Sequence, residues 1–121
     1  MKSRVDGGEQ KALWFGSDGA QEQPLVGDLH VWAGNFEHVY KNGSQSLPNK
    51  IRGKNWNYVK PDFRGPSNSP EACCSDRVIS DIDEAIDHLI ETANVDRERI
   101  FVVGGSGGGY TSLCMFMNSR H

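Results

Sequence analysis

A chain of 121 residues has room for one domain or part of one, and 36% hydrophobic with 24% charged residues is an ordinary globular balance. The formal net charge of −3 gives no electrostatic case for nucleic acid or for an acidic membrane surface as a partner. No run approaches the ~18 apolar residues of a membrane helix, and residues 1–8 lack the apolar core of a signal peptide, so no membrane partner is expected and the cytoplasm is the default compartment.

Residues 1–10 are polar and contain two glycines, and they are expected to fray ahead of a domain covering residues 11–121. Residues 11–15 read as a strand and 16–23 as a polar connection. Residues 24–32 read as the next strand, with Pro24 at its first position, where a missing N–H is tolerated. Gly27 and Asp28 interrupt that run, and a carboxylate in a central strand has to be paired or protonated, or else the strand is less buried there. Residues 34–38 lead into a weak helix through about Lys41, which Asn42-Gly43 and Leu47-Pro48 break. A third strand is centred on residues 56–59, and 64–70 form a loop by their turn residues.

Ser75-Asp76 opens the clearest helix. Val78, Ile79, Ile82, Ala85, Ile86, Leu89, Ile90 and Ala93 recur at helical spacing, while Asp81, Asp83, Glu84, Asp87, His88 and Glu91 fill the other face. The carboxylates are expected as a solvated face and not as a metal cluster, with His88 an exposed polar residue among them. Asn94 suits a left-handed stop. Cys73 and Cys74 are adjacent and C-x-x-C is absent, so neither a zinc site nor a redox pair is indicated, and Cys114 reads as a small buried hydrophobe.

Ile100 to Val103 is a short β-branched and aromatic run, the pattern of a buried parallel strand. Gly104-Gly-Ser-Gly-Gly108 follows it with the G-x-S-x-G spacing, and a helical pattern begins at once. A serine pushed out at the tip of so tight a turn needs neighbours without Cβ atoms. The start of the next helix leaves free N–H groups where an oxyanion would form. A phosphate-cradling loop fits less well, since no Lys follows and Tyr110 stands where the third Gly of G-x-G-x-x-G would be. A purely structural glycine turn is the other alternative. No cofactor is indicated.

With those residues in place, the chain resembles an α/β-hydrolase, nearest the prolyl oligopeptidase family of serine peptidases and related esterases. The resemblance covers residues 11–121. It rests on Leu29-His-Val-Trp-Ala-Gly-Asn35, on Pro61-Asp-Phe-Arg-Gly-Pro66, on Asp81 and its helix, and on Val95-Asp-Arg-Glu-Arg-Ile100 leading into Gly104-Gly-Ser-Gly-Gly-Gly-Tyr110. It implies Ser106 as nucleophile, the N–H of Gly107 as one oxyanion donor and that of Val31 or Trp32 as the other. His30 then resembles a structural histidine of the oxyanion turn and not the base. The catalytic Asp and His of such enzymes come well after the serine, and only 15 residues follow Ser106. His121, at the far end of a continuous helix, would lie over ~20 Å away.

The expected fold is therefore an α/β-hydrolase-type open, mostly parallel sheet of about four strands with flanking helices, incomplete after the nucleophile helix. The strand ending near Trp32 is expected between those of Tyr58 and Val102, with the first strand antiparallel at the outer edge. The function implied is acyl transfer from a peptide or ester through an acyl-enzyme on Ser106. The alternative is a non-catalytic fragment or degenerate product with a binding role. An exposed edge at the Val102 strand is expected to favour self-association.

Overall fold

The structure, a computed structural model, describes residues 1–37, 46–66 and 69–121. Its elements in chain order are β1 (Ala12–Phe15), β2 (Gln23–Asp28), α1 (Ser46–Gly53), β3 (Asn57–Pro61), a 3-10 turn (Pro70–Ala72), α2 (Asp76–Thr92), β4 (Val95–Val103) and α3 (Gly107–Asn118). The four strands form one sheet in the order β1-β3-β2-β4. β2 runs parallel to both β3 and β4, while β1 pairs antiparallel with β3 at the outer edge. This is the strand order and fold class expected from the sequence: a four-stranded mixed sheet of partial α/β-hydrolase type.

α2 covers one face of the sheet. Its stripe of Val78, Ile79, Ile82, Ala85, Ile86 and Leu89 packs on Leu25, Leu29 and Val59 and continues to Val95. Each such aliphatic side chain removed from water is worth about 1.5–3 kcal/mol, so this layer holds β2 and β3 in register. Ser75 caps the helix, its Oγ accepting the Val78 N–H at 3.3 Å. On the other face Ile51 of α1 packs with Val26 and Tyr58.

Several expectations need correction. β2 stops at Asp28, so residues 29–32 leave the sheet as a loop, although the Leu29 N–H still donates to Val103 O at 2.9 Å. β3 starts and ends later than expected, and β4 reaches back to Val95 through an irregular register beside Gln23. α1 occupies residues that include Leu47-Pro48, read as a breaker. Pro48 falls in the first helical turn, where the N–H it lacks has no intrahelical acceptor. The weak helix expected through Lys41 falls on residues 38–45, outside the described residues.

Asn94 is not a left-handed stop. The helix ends at Ala93 in extended backbone, while the Asn94 side chain donates to Gly19 O and its carbonyl accepts from Gln23 N and Asn57 Nδ2. Nor are the α2 carboxylates all solvated, for Asp81, Asp83 and Glu84 are buried. Asp81 pairs with Arg64, Asp83 accepts from Ser119 Oγ and Arg120 N, and Glu84 accepts from Arg4 N and Ser80 Oγ. Hydrophobic periodicity does not register a polar face that the two ends of the chain cover. His88 is half-buried and meets Trp14 edge-on, with ring centroids 5.3 Å apart. Residues 1–10 are tied down through an antiparallel bridge between Lys2 and Glu9 and through Arg4 on α2.

Cys114 is half of a disulfide with Cys74, their Cα atoms 6.2 Å apart, and Cys73 is the free cysteine. Adjacency keeps Cys73 and Cys74 from bridging each other but leaves either able to reach a third cysteine 40 residues away. Asp28 is paired, as a carboxylate there must be. Its Oδ2 accepts from Tyr58 OH at 2.6 Å and lies 3.2 Å from Lys60 Nζ.

Candidate active site

β4 and β2 are neighbours, so their carboxyl ends place two turns side by side. From β4 comes Gly104-Gly105-Ser106. Ser106 has φ 52° and ψ −120°, a left-handed backbone that a residue with a Cβ seldom adopts, and α3 begins at the next residue. The turn closes with Gly108 N–H on Gly105 O at 3.0 Å and Tyr110 N–H on Ser106 O at 3.1 Å. The serine is exposed and does not cap α3 with its side chain.

From β2 comes the loop of residues 29–32, pressed directly against this turn. A Cβ on Gly107 would stand 2.6 Å from Trp32 N, and one on Gly108 would stand 2.1 Å from Leu29 O. Both contacts are backbone to backbone, so no side-chain rotation could relieve them. The amide of Gly107, first in α3, has no intrahelical acceptor, and Trp32 N lies against the same residue. Ser106, Gly107 and Trp32 are thus brought together. The Val31 carbonyl accepts from Gly34 N and faces His30 Nδ1.

His30 is buried at 1% exposure, its ring stacked on Phe63 with centroids 3.9 Å apart. Nδ1 lies 2.9 Å from Val31 O and Nε2 2.8 Å from Asp62 O. The ring lies between these two carbonyls, donating from its protonated nitrogen, and so fills the space between the β2 loop and the loop after β3, the structural part that the resemblance implies. Asp62 also accepts the Phe36 N–H at 3.3 Å. Among the described residues no histidine is hydrogen-bonded to Ser106, and His121 instead places Nε2 2.8 Å from Asp87 Oδ1.

Arg64, at φ 77° in the turn after β3, is spent on structure and not on a ligand. Its guanidinium holds Asp81 on α2 at 2.5 Å, Asp6 in the first hairpin (residues 2–9, closed by the Lys2–Glu9 bridge) at 2.8 Å and Ser3 Oγ at 3.0 Å. Those hydrogen bonds, to Asp6 first and Asp81 next, raise its already high pKa further. In return the Arg64 hydrogen bond, aided by the Gly8 N–H, lowers the Asp6 carboxyl from 3.8 to about 2. Nothing in a linear pattern reveals that these distant acids meet one arginine.

Sequence reasoning also missed the disulfide beside the nucleophile helix, where Cys74 Sγ lies 4.0 Å from Tyr110 O. Three cysteines allow one bridge with one thiol left over, but their spacing does not say whether it forms or which two it joins. Among the described residues there is no group of three His, Cys, Asp or Glu side chains that could hold a metal, and no helix is long and apolar enough to cross a membrane. A cavity of about 450 Å³ between β1, the first hairpin and α2 is lined by Trp14, Phe36, Val59, Ala85 and His88 among others; Ser106 does not line it.

Solved structures share this fold. An acetyl xylan esterase from Paenibacillus sp. R4 superposes with a TM-score of 0.65 at 20% identity, over 92% of this chain and 41% of its own. The S-formylglutathione hydrolase FrmB of Staphylococcus aureus gives 0.69 at 14% identity, over 91% and 46%. A ferulic acid esterase of Anaeromyces mucronatus gives 0.62 at 19%, over 94% and 56%. The chain therefore spans about half the length of these α/β-hydrolases, and the likeness is one of fold. No curated protein sequence matches it. Residues 52–121, which hold β3, α2, β4, the Ser106 turn and α3, match the prolyl oligopeptidase family, and it is to that family that the chain belongs.

Proposed function

We propose that the chain carries the nucleophile half of a serine hydrolase that acts on a peptide or ester through an acyl-enzyme on Ser106. The observation that carries this reading is the exposed, left-handed serine between β4 and α3, with Gly107 and Gly108 after it packed on the loop leaving β2. In the proposed reaction Ser106 Oγ attacks the substrate carbonyl carbon as a base removes the hydroxyl proton. The oxyanion accepts from the N–H of Gly107 and from that of Trp32, with Val31 as the other candidate on the loop. The leaving alcohol or amine departs with a proton, and water then releases the acid and restores the serine.

Peptidase and esterase activity share these steps. The family name supports a peptide substrate and the esterase structural neighbours support an ester. A serine without a base is an ordinary weak nucleophile, so these 121 residues by themselves are proposed to turn over ester substrates poorly or not at all. A second reading, a non-catalytic binding role, is favoured by one observation: the Ser106 hydroxyl has no hydrogen-bonded histidine among the described residues. A fluorophosphonate probe decides between them. Labelling that maps to Ser106 and disappears in Ser106→Ala supports the hydrolase; a protein from intact cells that never labels at Ser106 supports the binding role.

A further inference from the structure

All three cysteines bear on one place, the junction between the start of α2 and the helix that follows Ser106. Cys74 precedes the α2 cap, Ser75, and is bonded to Cys114 in the second turn of α3. Its Sγ lies 4.0 Å from the carbonyl of Tyr110, in the first turn after the nucleophile. Cys73, the free thiol, is half-buried immediately before it. Cys74 also has φ 51°, a left-handed backbone seldom adopted by a residue with a Cβ, so the segment is bent to make this link.

α3 has few other attachments. Its buried residues are Gly107, Gly108, Thr111, Cys114 and Met115, while Leu113, Phe116 and Met117 face outward and are 63–89% exposed. Beyond the glycine contact at its start and the pairing of Ser119, Arg120 and His121 with Asp83 and Asp87 just past its end, the helix is fastened by the buried Thr111 and Met115 and by the disulfide. The apolar burial that would hold the Ser106 turn without the link is therefore small.

We propose that Cys74 and Cys114 form a thiol-sensitive strap on the nucleophile helix: closed as a disulfide it fixes α3 and the Ser106 turn, and opened by a dithiol it releases them. In opening, the dithiol is oxidised to its own disulfide, the Cys74–Cys114 bond breaks by two electrons, and each sulfur takes one of the two protons the dithiol gives up. Cys73 can shuffle this bond without net redox change, which moves the link to Cys73–Cys114 and leaves α3 tied. Its thiolate attacks Cys114 Sγ, Cys74 leaves as thiolate, and the proton given up by Cys73 passes through solvent to Cys74. As regulation of a hydrolase this rests on Ser106 being the nucleophile. The strap itself is tested by backbone exchange, which reads the same whether or not the protein hydrolyses anything.

Non-reduced protein is digested and its disulfides mapped, and amide hydrogen exchange is followed by mass spectrometry with and without dithiothreitol. The expected map shows Cys74 joined to Cys114, with Cys73 alkylated as a free thiol. Reduction is expected to speed exchange at residues 104–116 at least tenfold while β1, β3 and the middle of α2 stay protected. Cys114→Ala is expected to behave like the reduced protein whether or not dithiothreitol is present, and Cys73→Ser to behave like the unsubstituted protein. Should Cys114→Ala fail to fold, reduction of the unsubstituted chain still decides. Free thiols at both Cys74 and Cys114 before reduction, unchanged exchange at the Ser106 turn after it, or global loss of protection would each overturn the proposal.

Discussion

Gly107 and Gly108 sit where the backbone of the β2 loop leaves no room for a methyl group, whereas a Cβ on Gly105, one residue before the serine, would meet nothing within 4 Å. Gly107→Ala and Gly108→Ala are expected to push the two turns apart, costing about 1–3 kcal/mol in denaturant unfolding and abolishing any labelling of Ser106. Gly105→Ala is expected to change stability by less than about 0.5 kcal/mol, the level of an unobstructed surface substitution. Equal losses at all three positions would mean that conformational freedom, and not close approach, selects the glycines. A second residue-scale test concerns Asp6. Its carboxyl ionises at about 2 in the fold against 3.8 as a free group, chiefly through the Arg64 hydrogen bond. A lowered folded pKa means that the charged form favours folding, so this contribution is whole above pH 3.8 and is lost as pH falls through 2. The urea midpoint should therefore drop less steeply between pH 4 and pH 2 in Asp6→Asn than in the unsubstituted chain.

Between elements, an ion pair joins β2 and β3 near the site end of the sheet. Lys60 is 3% exposed and Asp28 12% exposed by side chain, with Tyr58 OH on the same carboxylate oxygen. Truncating one partner strands the other charge away from water, so Lys60→Met is expected to cost about 3–5 kcal/mol. Adding Asp28→Asn should recover part of that loss, because the amide oxygen still accepts from Tyr58 and no charge is left unpaired. Additive losses in the double variant would show that the ion pair does not couple the strands. Asp28 also marks how far sequence alone could reach. That it needed a partner follows from its place in an apolar run; that the partner is Lys60 depends on the β2–β3 register, which no local pattern encodes. The same division holds elsewhere. α2 and the strand–turn–helix around Ser106 were legible because their periodicity and glycine spacing are local. The limits of β2, the pairing of Cys74 with Cys114 and the burial of Asp81, Asp83 and Glu84 were not, since each depends on a segment distant in sequence. Pro48 misled for another reason: a proline breaks a helix interior but is accepted in a first turn, and nothing before it marked Ser46 as the start.

At the scale of the whole molecule the sheet is covered unevenly. α2 seals the face over Leu25 and Val59, yet β4 is an edge strand and carries Phe101 and Val103 at 47% and 36% exposure. Beside it α3 presents Leu113, Phe116 and Met117 outward, Phe116 at 89% exposure. An edge with unpaired N–H and C=O groups next to exposed apolar side chains is a template for strand addition. Arg97, Glu98 and Arg99, exposed along the first half of β4, oppose this only there, because the apolar half from Ile100 onward has no charged residue. We propose that the isolated 121-residue chain self-associates through β4 and the outer face of α3. Sedimentation should show weight-average mass rising with concentration, together with binding of a hydrophobic dye. Phe116→Lys with Leu113→Glu should reduce both without altering the far-ultraviolet circular dichroism, since neither side chain supports the fold. Placing a charge at Phe101 should act on the same surface from the strand side and weaken association further. A monomer at every concentration would rule out self-association, and association that survives all three substitutions would place it on a surface other than β4 and α3.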